Sequence, residues 1–163
     1  VFSSSGKYLR KWGKSGSTWG TFNRPCGIAI SPDGKLVYVT EAQNNRVQVF
    51  SPTGKFIRTW GKYGSDNDGF YWPRGIDVAK NGNVYVVDQG NHRIQVFSKT
   101  GKYLKTIGSV GTTNGKLNNP LDVAVSKDGK LVYVAELGNA RIQVFSSAGK
   151  LLTVFRLSFL LFS

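Results

Sequence analysis

Asn91-His92-Arg93-Ile94-Gln95-Val96-Phe97 is a phrase that this chain repeats. Residues 45–50 read Asn-Arg-Val-Gln-Val-Phe, and 139–145 read Asn-Ala-Arg-Ile-Gln-Val-Phe. The closing Val-Phe pair begins at positions 1, 49, 96 and 144, so the steps are 48, 47 and 48 residues. A fixed period of that size signals a repeat architecture, in which one supersecondary unit is copied along the chain. The 163 residues are therefore three copies of one unit and not three independent domains.

Outward from that phrase, each unit holds four short runs. The first follows a proline: 27–30, 75–78 and 121–125. The second, 36–40, 84–87 and 131–135, carries Val-Tyr-Val in every copy. The third is the opening phrase itself, 46–50, 93–97 and 141–145. The fourth is 56–60, 103–107 and 151–155, with a stray copy at 8–12 that belongs to a preceding unit. β-Branched and aromatic residues dominate these runs, and none is long enough for a helix.

Turn chemistry separates the runs. Pro32-Asp33-Gly34, Lys80-Asn81-Gly82 and Lys127-Asp128-Gly129 join first to second, carrying the Asp-Gly or Asn-Gly pair that tight hairpins favour through positive φ. Pro52-Thr53-Gly54, Lys99-Thr100-Gly101 and Ser147-Ala148-Gly149 join third to fourth. Four antiparallel strands per unit, with longer linkers between units, is the pattern of a β-propeller blade. The expected fold is all-β, a partial propeller of three four-stranded blades plus an N-terminal outer strand. Residues 1–13 hold that strand, 14–61, 62–108 and 109–155 are the blades, and 156–163 is an apolar tail outside the repeat.

Composition bounds the function. One cysteine, Cys26, excludes an internal disulfide and a multi-cysteine zinc site, and one histidine, His92, excludes a multi-histidine metal centre. No cofactor, metal or catalytic group is expected, and no apolar stretch approaches the roughly 20 residues of a spanning helix. The net charge of +13 suits an anionic partner or simple solubility. There is no Met and the chain opens partway through a repeat, which reads as a piece of something longer.

Glu41, Asp88 and Glu136 each precede a repeated arginine, Arg46, Arg93 and Arg141, by five residues. Recurrence in every unit points to a structural clamp on the second-to-third turn, supported by Asn45, Asn91 and Asn139. Residues that break the repeat are the better functional candidates. Asp77 and Asp122 fall on the first run, which lines a propeller's channel, where two carboxylates without partners are too few for a cation.

The linkers 13–24, 61–72 and 108–119 vary most. With their flanks they hold Lys14, Trp19, Arg24, Lys62, Tyr63, Tyr71, Trp72, Arg74, Lys116 and, in the facing turn, His92. Cations that track phosphates, interleaved with aromatic rings on which bases stack, are the composition of a single-stranded nucleic-acid surface. Phe22, Phe70 and Leu117 occupy equivalent places and are assigned to packing between blades. The opposite turns also carry lysines, among them Lys35, Lys80, Lys99 and Lys127, so charge alone does not select a face.

The linked motifs Pro-x-Gly-Ile, Gly-x-Val-Tyr-Val-x-Asp, Asn-x-Arg-Ile-Gln-Val-Phe and Gly-x-(Tyr/Phe)-Leu resemble the NHL repeat over essentially residues 1–155. The resemblance implies a six-bladed ring, of which this chain supplies about half. It also implies exposed blade faces and strand edges prone to self-association, which either two chains or missing blades would cover. NHL propellers of the tripartite-motif ubiquitin-ligase family hold RNA on a basic face, so single-stranded RNA is the implied partner. A protein-interaction scaffold is the alternative. The tripartite-motif likeness implies a cytoplasmic location, with any ligase activity residing in other sequence. Histidine-ligated zinc, as in amidating lyases of this kind, is excluded by the single histidine, and a calcium-dependent lactonase-like hydrolase would need more channel acids than Asp77 and Asp122.

Overall fold

The computed structural model describes residues 1–156; the rest of the expected apolar tail, 157–163, lies outside the described residues. Three four-stranded antiparallel sheets follow one another. Blade 1 comprises β1 (Pro25–Ile30), β2 (Val37–Glu41), β3 (Arg46–Phe50) and β4 (Phe56–Trp60). Two-residue strands β5 (Lys62–Tyr63) and β6 (Gly69–Phe70) form a small parallel sheet in the linker to blade 2. Blade 2 comprises β7 (Pro73–Val78), β8 (Val84–Asp88), β9 (Arg93–Phe97) and β10 (Tyr103–Ile107). Blade 3 comprises β11 (Pro120–Val125), β12 (Leu131–Glu136), β13 (Arg141–Ser146) and β14 (Leu151–Arg156).

Strand order follows sequence order in each blade. β1, β7 and β11 are the inner strands and lie side by side, bordering a channel of about 840 Å³. This is a partial propeller. Each inner strand begins at its proline, two residues earlier than the apolar run or one in blade 3. A register shift then follows, between Pro25 and Ile28, Pro73 and Ile76, and Pro120 and Asp122. Proline gives no N–H to a ladder, which suits an edge position and a bulge.

The hairpins between first and second strands differ from a two-residue type I′ loop. Gly34, Gly82 and Gly129 adopt positive φ, whereas Asp33, Asn81 and Asp128 do not. Those side chains turn inward instead: Asp33 accepts from Ser31 Oγ (2.6 Å) and the N–H of Lys35 (3.1 Å), and Asp128 repeats this with Ser126 and Lys130.

Packing between blades uses one residue from the end of each outer strand. Trp60 of β4 lies 5.7 Å from Phe97, which in turn lies 5.6 Å from Phe70. In the next interface aliphatic Ile107 and Leu117 take the places of Trp60 and Phe70 and pack with Phe145, all buried. Trp12, Phe22 and Phe50 are the version at the front of blade 1, with Trp12 to Phe50 at 4.9 Å. Residues 1–10 form a short hairpin with one bridge, Phe2 to Tyr8; residues 9–12 run on without a ladder, held by hydrogen bonds of Leu9 and Arg10 to Val1, by Arg10 to the Pro52 carbonyl, and by packing of Trp12.

The two outer faces of the set are apolar and open. Ile28 of β1 is 66% exposed, whereas Ile76 at the same repeat position is 6% exposed. On blade 3, Ile142 is 43% exposed while its counterparts Val47 and Ile94 are fully buried. Arg156, aligned with the glycines that end earlier outer strands, continues β14 by pairing with Arg141.

Candidate nucleic-acid interface

The linkers are anchored before they can recognise anything, and a buried carboxylate does the anchoring. Glu41 and Arg46 face each other across the β2–β3 pair and form a salt bridge of 2.6 Å; Asp88–Arg93 and Glu136–Arg141 repeat it at 2.8 and 2.7 Å. Each carboxylate also accepts a linker N–H: Asn23 to Glu41, Tyr71 to Asp88 and Asn118 to Glu136, all at 2.8 Å. Each guanidinium donates onward to linker carbonyls, Arg46 to Ser17, Thr18 and Thr21, and Arg141 to Thr112, Thr113 and Lys116. The clamp thus holds the inter-blade linker as well as the turn.

Two further members complete it. Buried Gln48, Gln95 and Gln143 donate both to the carboxylate and to a linker carbonyl, Gln143 at 2.7 Å to each. The supporting asparagines are Asn44, Asn91 and Asn139, each donating to the carboxylate and to a linker glycine carbonyl. This corrects the assignment of Asn45 to that role. Asn45 instead shares the left-handed position of His92 and Ala140, with φ of 49°, 54° and 46°. Burial pushes the Asp88 carboxyl above the ordinary range, against hydrogen bonds from Tyr71 N–H, Asn91 and Arg93.

On this anchored frame, the residue before each inner-strand proline is forced into the left-handed region. Arg24, Trp72 and Asn119 have φ of 54°, 57° and 52°. For residues other than glycine that conformation costs about 1–2 kcal/mol each. It is held from both sides. The carbonyls of Arg24 and Asn119 accept from Ala42 and Leu137, while the N–H groups of Trp72 and Asn119 donate to Asn45 Oδ1 (3.1 Å) and His92 Nδ1 (2.9 Å) of the preceding blade.

These side chains meet along the linker rim. The Arg24 guanidinium sits 4.6 Å from the centre of the Trp72 ring. Trp72 meets Tyr71 edge-on at 6.4 Å, and Tyr71 meets Tyr63 edge-on at 5.6 Å. Tyr63 is 71% exposed and Tyr71 42% exposed. Beside this run lies a depression of about 290 Å³ bordered by Tyr71, Trp72, Arg74, Gln89, His92 and Asn119. Arg74 Nε donates to Gln89 Oε1 (2.7 Å) and Gln89 Nε2 to Asn119 Oδ1 (2.6 Å).

Other candidates lie elsewhere or are engaged. Trp19 stacks on Phe56 at 5.8 Å, at the outer strand of blade 1, the opposite end of the sheet from Arg24. Lys62 pairs with Asp66 at 3.0 Å on the surface, and this hydrogen bond raises the lysine's pKa and lowers the carboxylate's. Lys116 Nζ donates to Ser109 Oγ, and Lys14 is exposed at the head of its linker. In the channel Asp77 Oδ2 accepts from Val125 N–H at 2.7 Å, joining β7 to β11, and Asp122 Oδ1 accepts from Val123 N–H. Among the described residues no group of three or more metal-ligating side chains assembles. Among the described residues no helix is long and apolar enough to cross a membrane.

Gln89 and Asn119 escaped sequence reasoning. Gln89 breaks the repeat, standing where Ala42 and Leu137 stand, and Asn119 occupies the slot of Arg24 and Trp72; both signals were available in the alignment of the repeats.

The NHL repeat family model matches residues 22–50, 70–97 and 117–145. No curated protein sequence matches the chain. Among solved structures, Kuenenia stuttgartiensis hydrazine synthase is similar, with a TM-score of 0.61 and 23% identity. The match covers 80% of this chain and 36% of that one, so the chain spans about a third of its length, and likeness at that identity is a likeness of fold. Three matched repeats, each a four-stranded blade with its own carboxylate–arginine clamp, place this chain in the NHL-repeat family of β-propeller interaction modules.

Proposed function

We propose that this module binds single-stranded RNA along the rim formed by the linkers of blades 1 and 2, and acts by recognition without catalysis. The observation that carries the reading is the run Tyr63, Tyr71, Trp72 and Arg24, in which two exposed rings, a half-buried indole and a guanidinium plane follow one another at 4.6–6.4 Å. Unpaired bases stack on such faces regardless of sequence, while neighbouring cations neutralise phosphates. The +13 charge raises the local concentration of a polyanion. His92 takes part as a rim residue whose Nδ1 is already committed to the Asn119 N–H.

A protein partner is the second reading, favoured by the open apolar faces around Ile28 and Ile142. Fluorescence anisotropy of labelled RNA heptamers across a salt series separates the two. RNA held by phosphate contacts gives a slope of log K against log salt of roughly −0.7 per contact. Absence of binding at low salt rejects the RNA reading.

A further inference from the structure

The rim depression has a fixed polarity, set by a chain of forced orientations. Arginine has donors and no acceptor, so the Gln89 amide must turn its oxygen toward Arg74 Nε, at 2.7 Å. Its nitrogen is thereby aimed at Asn119, which must answer with Oδ1, at 2.6 Å. The backbone N–H of Asn119 meets His92 Nδ1 at 2.9 Å, so that nitrogen is the acceptor and the neutral ring carries its proton on Nε2. Each amide oxygen already accepts one bond and keeps one lone pair. Against these stand the Nη groups of Arg74, one N–H of Gln89, two on Asn119 Nδ2 and the His92 Nε2–H. Donors therefore dominate the depression.

We infer that this depression selects an oxo nucleobase, uracil or guanine, over the amino bases cytosine and adenine. The inference rests on the RNA reading above and names which bases that site prefers. A planar base fits against the Tyr71 and Trp72 rings that border the depression. The 4-oxo group of uracil, or the O6 and N7 edge of guanine, offers acceptors to these donors. Cytosine and adenine put an amino group at the same place, setting donor against donor and leaving these N–H groups without a base acceptor. Phosphate is also an acceptor, and a probe without bases distinguishes the two sources.

The test uses the full chain with labelled U7, C7 and abasic ribose-phosphate heptamers at one salt concentration. U7 and C7 differ at this edge in O4 against N4–H2, and U7 is expected to bind about tenfold more tightly, with the abasic strand weakest. Asn119→Asp keeps the acceptor for Gln89 and replaces the outward donors by an acceptor. The U7 to C7 ratio is expected to fall to one or below, and thermal unfolding confirms that the variant is folded. His92→Ala, which removes the Nε2–H donor together with the Nδ1 acceptor of the Asn119 N–H, is expected to reduce the same ratio severalfold, with thermal unfolding again confirming the fold. Equal binding of U7, C7 and the abasic strand overturns base selection while leaving the RNA reading standing. Failure of all three to bind at low salt removes the RNA reading, and this inference with it.

Discussion

The Arg24 guanidinium lies 4.6 Å from the centre of the Trp72 indole, although the two residues hold the same position in successive repeats. The left-handed backbone at both sites turns their side chains onto the rim, and neighbouring blades bring them together. A cation over an indole face is a contact that holds both groups in place for a third partner.

Trp72 is therefore the residue whose loss costs most in RNA binding. Base–aromatic stacking contributes about 1–3 kcal/mol per base, so Trp72→Ala is expected to weaken an RNA heptamer by about 5- to 150-fold in anisotropy titrations. Trp72→Phe keeps a ring and retains most of the affinity. Unchanged binding by the alanine variant places the site elsewhere.

The clamp predicts a large stability effect with no involvement in binding. Arg141 and Glu136 side chains are both fully shielded from solvent, and removing one partner leaves a buried charge uncompensated. Arg141→Ala is expected to lower the unfolding free energy by about 3–5 kcal/mol, read from urea denaturation. A loss under about 1 kcal/mol would show the pair to be dispensable.

Asp88 gives a pH dependence opposite in sign to the usual salt-bridged carboxylate. Burial raises its pKa in the folded chain above the ordinary aspartate value of 3.8. Between the unfolded and folded pKa values the native state therefore binds more protons, so this group's stabilising contribution is full below 3.8 and is lost as pH rises through the folded pKa. Asp88→Asn removes the titration. The difference in melting temperature, wild type minus variant, is expected to grow as pH is lowered through that window; a difference that shrinks contradicts the raised pKa.

Gly27 tests the approach of blades 1 and 2. A methyl group there meets Arg74 O at 2.5 Å and Thr40 Oγ1 at 2.9 Å, and Thr40 Oγ1 already donates to Arg74 O at 2.5 Å. Gly27→Ala is expected to cost about 1–3 kcal/mol as overpacking, again by urea denaturation. Cys26→Ala, one residue away and exposed, serves as the neutral control.

Much of this fold was legible because each strand is written three times. Runs such as 46–50 and 93–97 coincide with strands to the residue, since alternation and glycine turns decide them locally. Boundaries set by side-chain pairing were harder. Glu41 joins β2 because it pairs with Pro25, which no propensity announces. Asn44 and Asn45 are adjacent and identical, yet the spacing of three from the carboxylate, shared with Asn91 and Asn139, selects Asn44 and was readable in the sequence. The rim was half visible. Aromatic and basic residues stood out in the linkers, but Gln89 and Asn119 gain their meaning from a hydrogen-bonded chain across two blades. Trp19 shows the converse, an exposed aromatic in a linker that the fold sends to the outer strand.

The left-handed slot before each proline has an evolutionary corollary. Its backbone is held by main-chain groups and by the preceding blade, so the side chain it displays takes no part in the carboxylate–arginine clamp and contacts other rim residues. Arginine, tryptophan and asparagine already sit in equivalent frames here. Swapping letters among these three sockets would rewrite what the rim reads while leaving the scaffold's architecture untouched, which makes the arc a programmable surface.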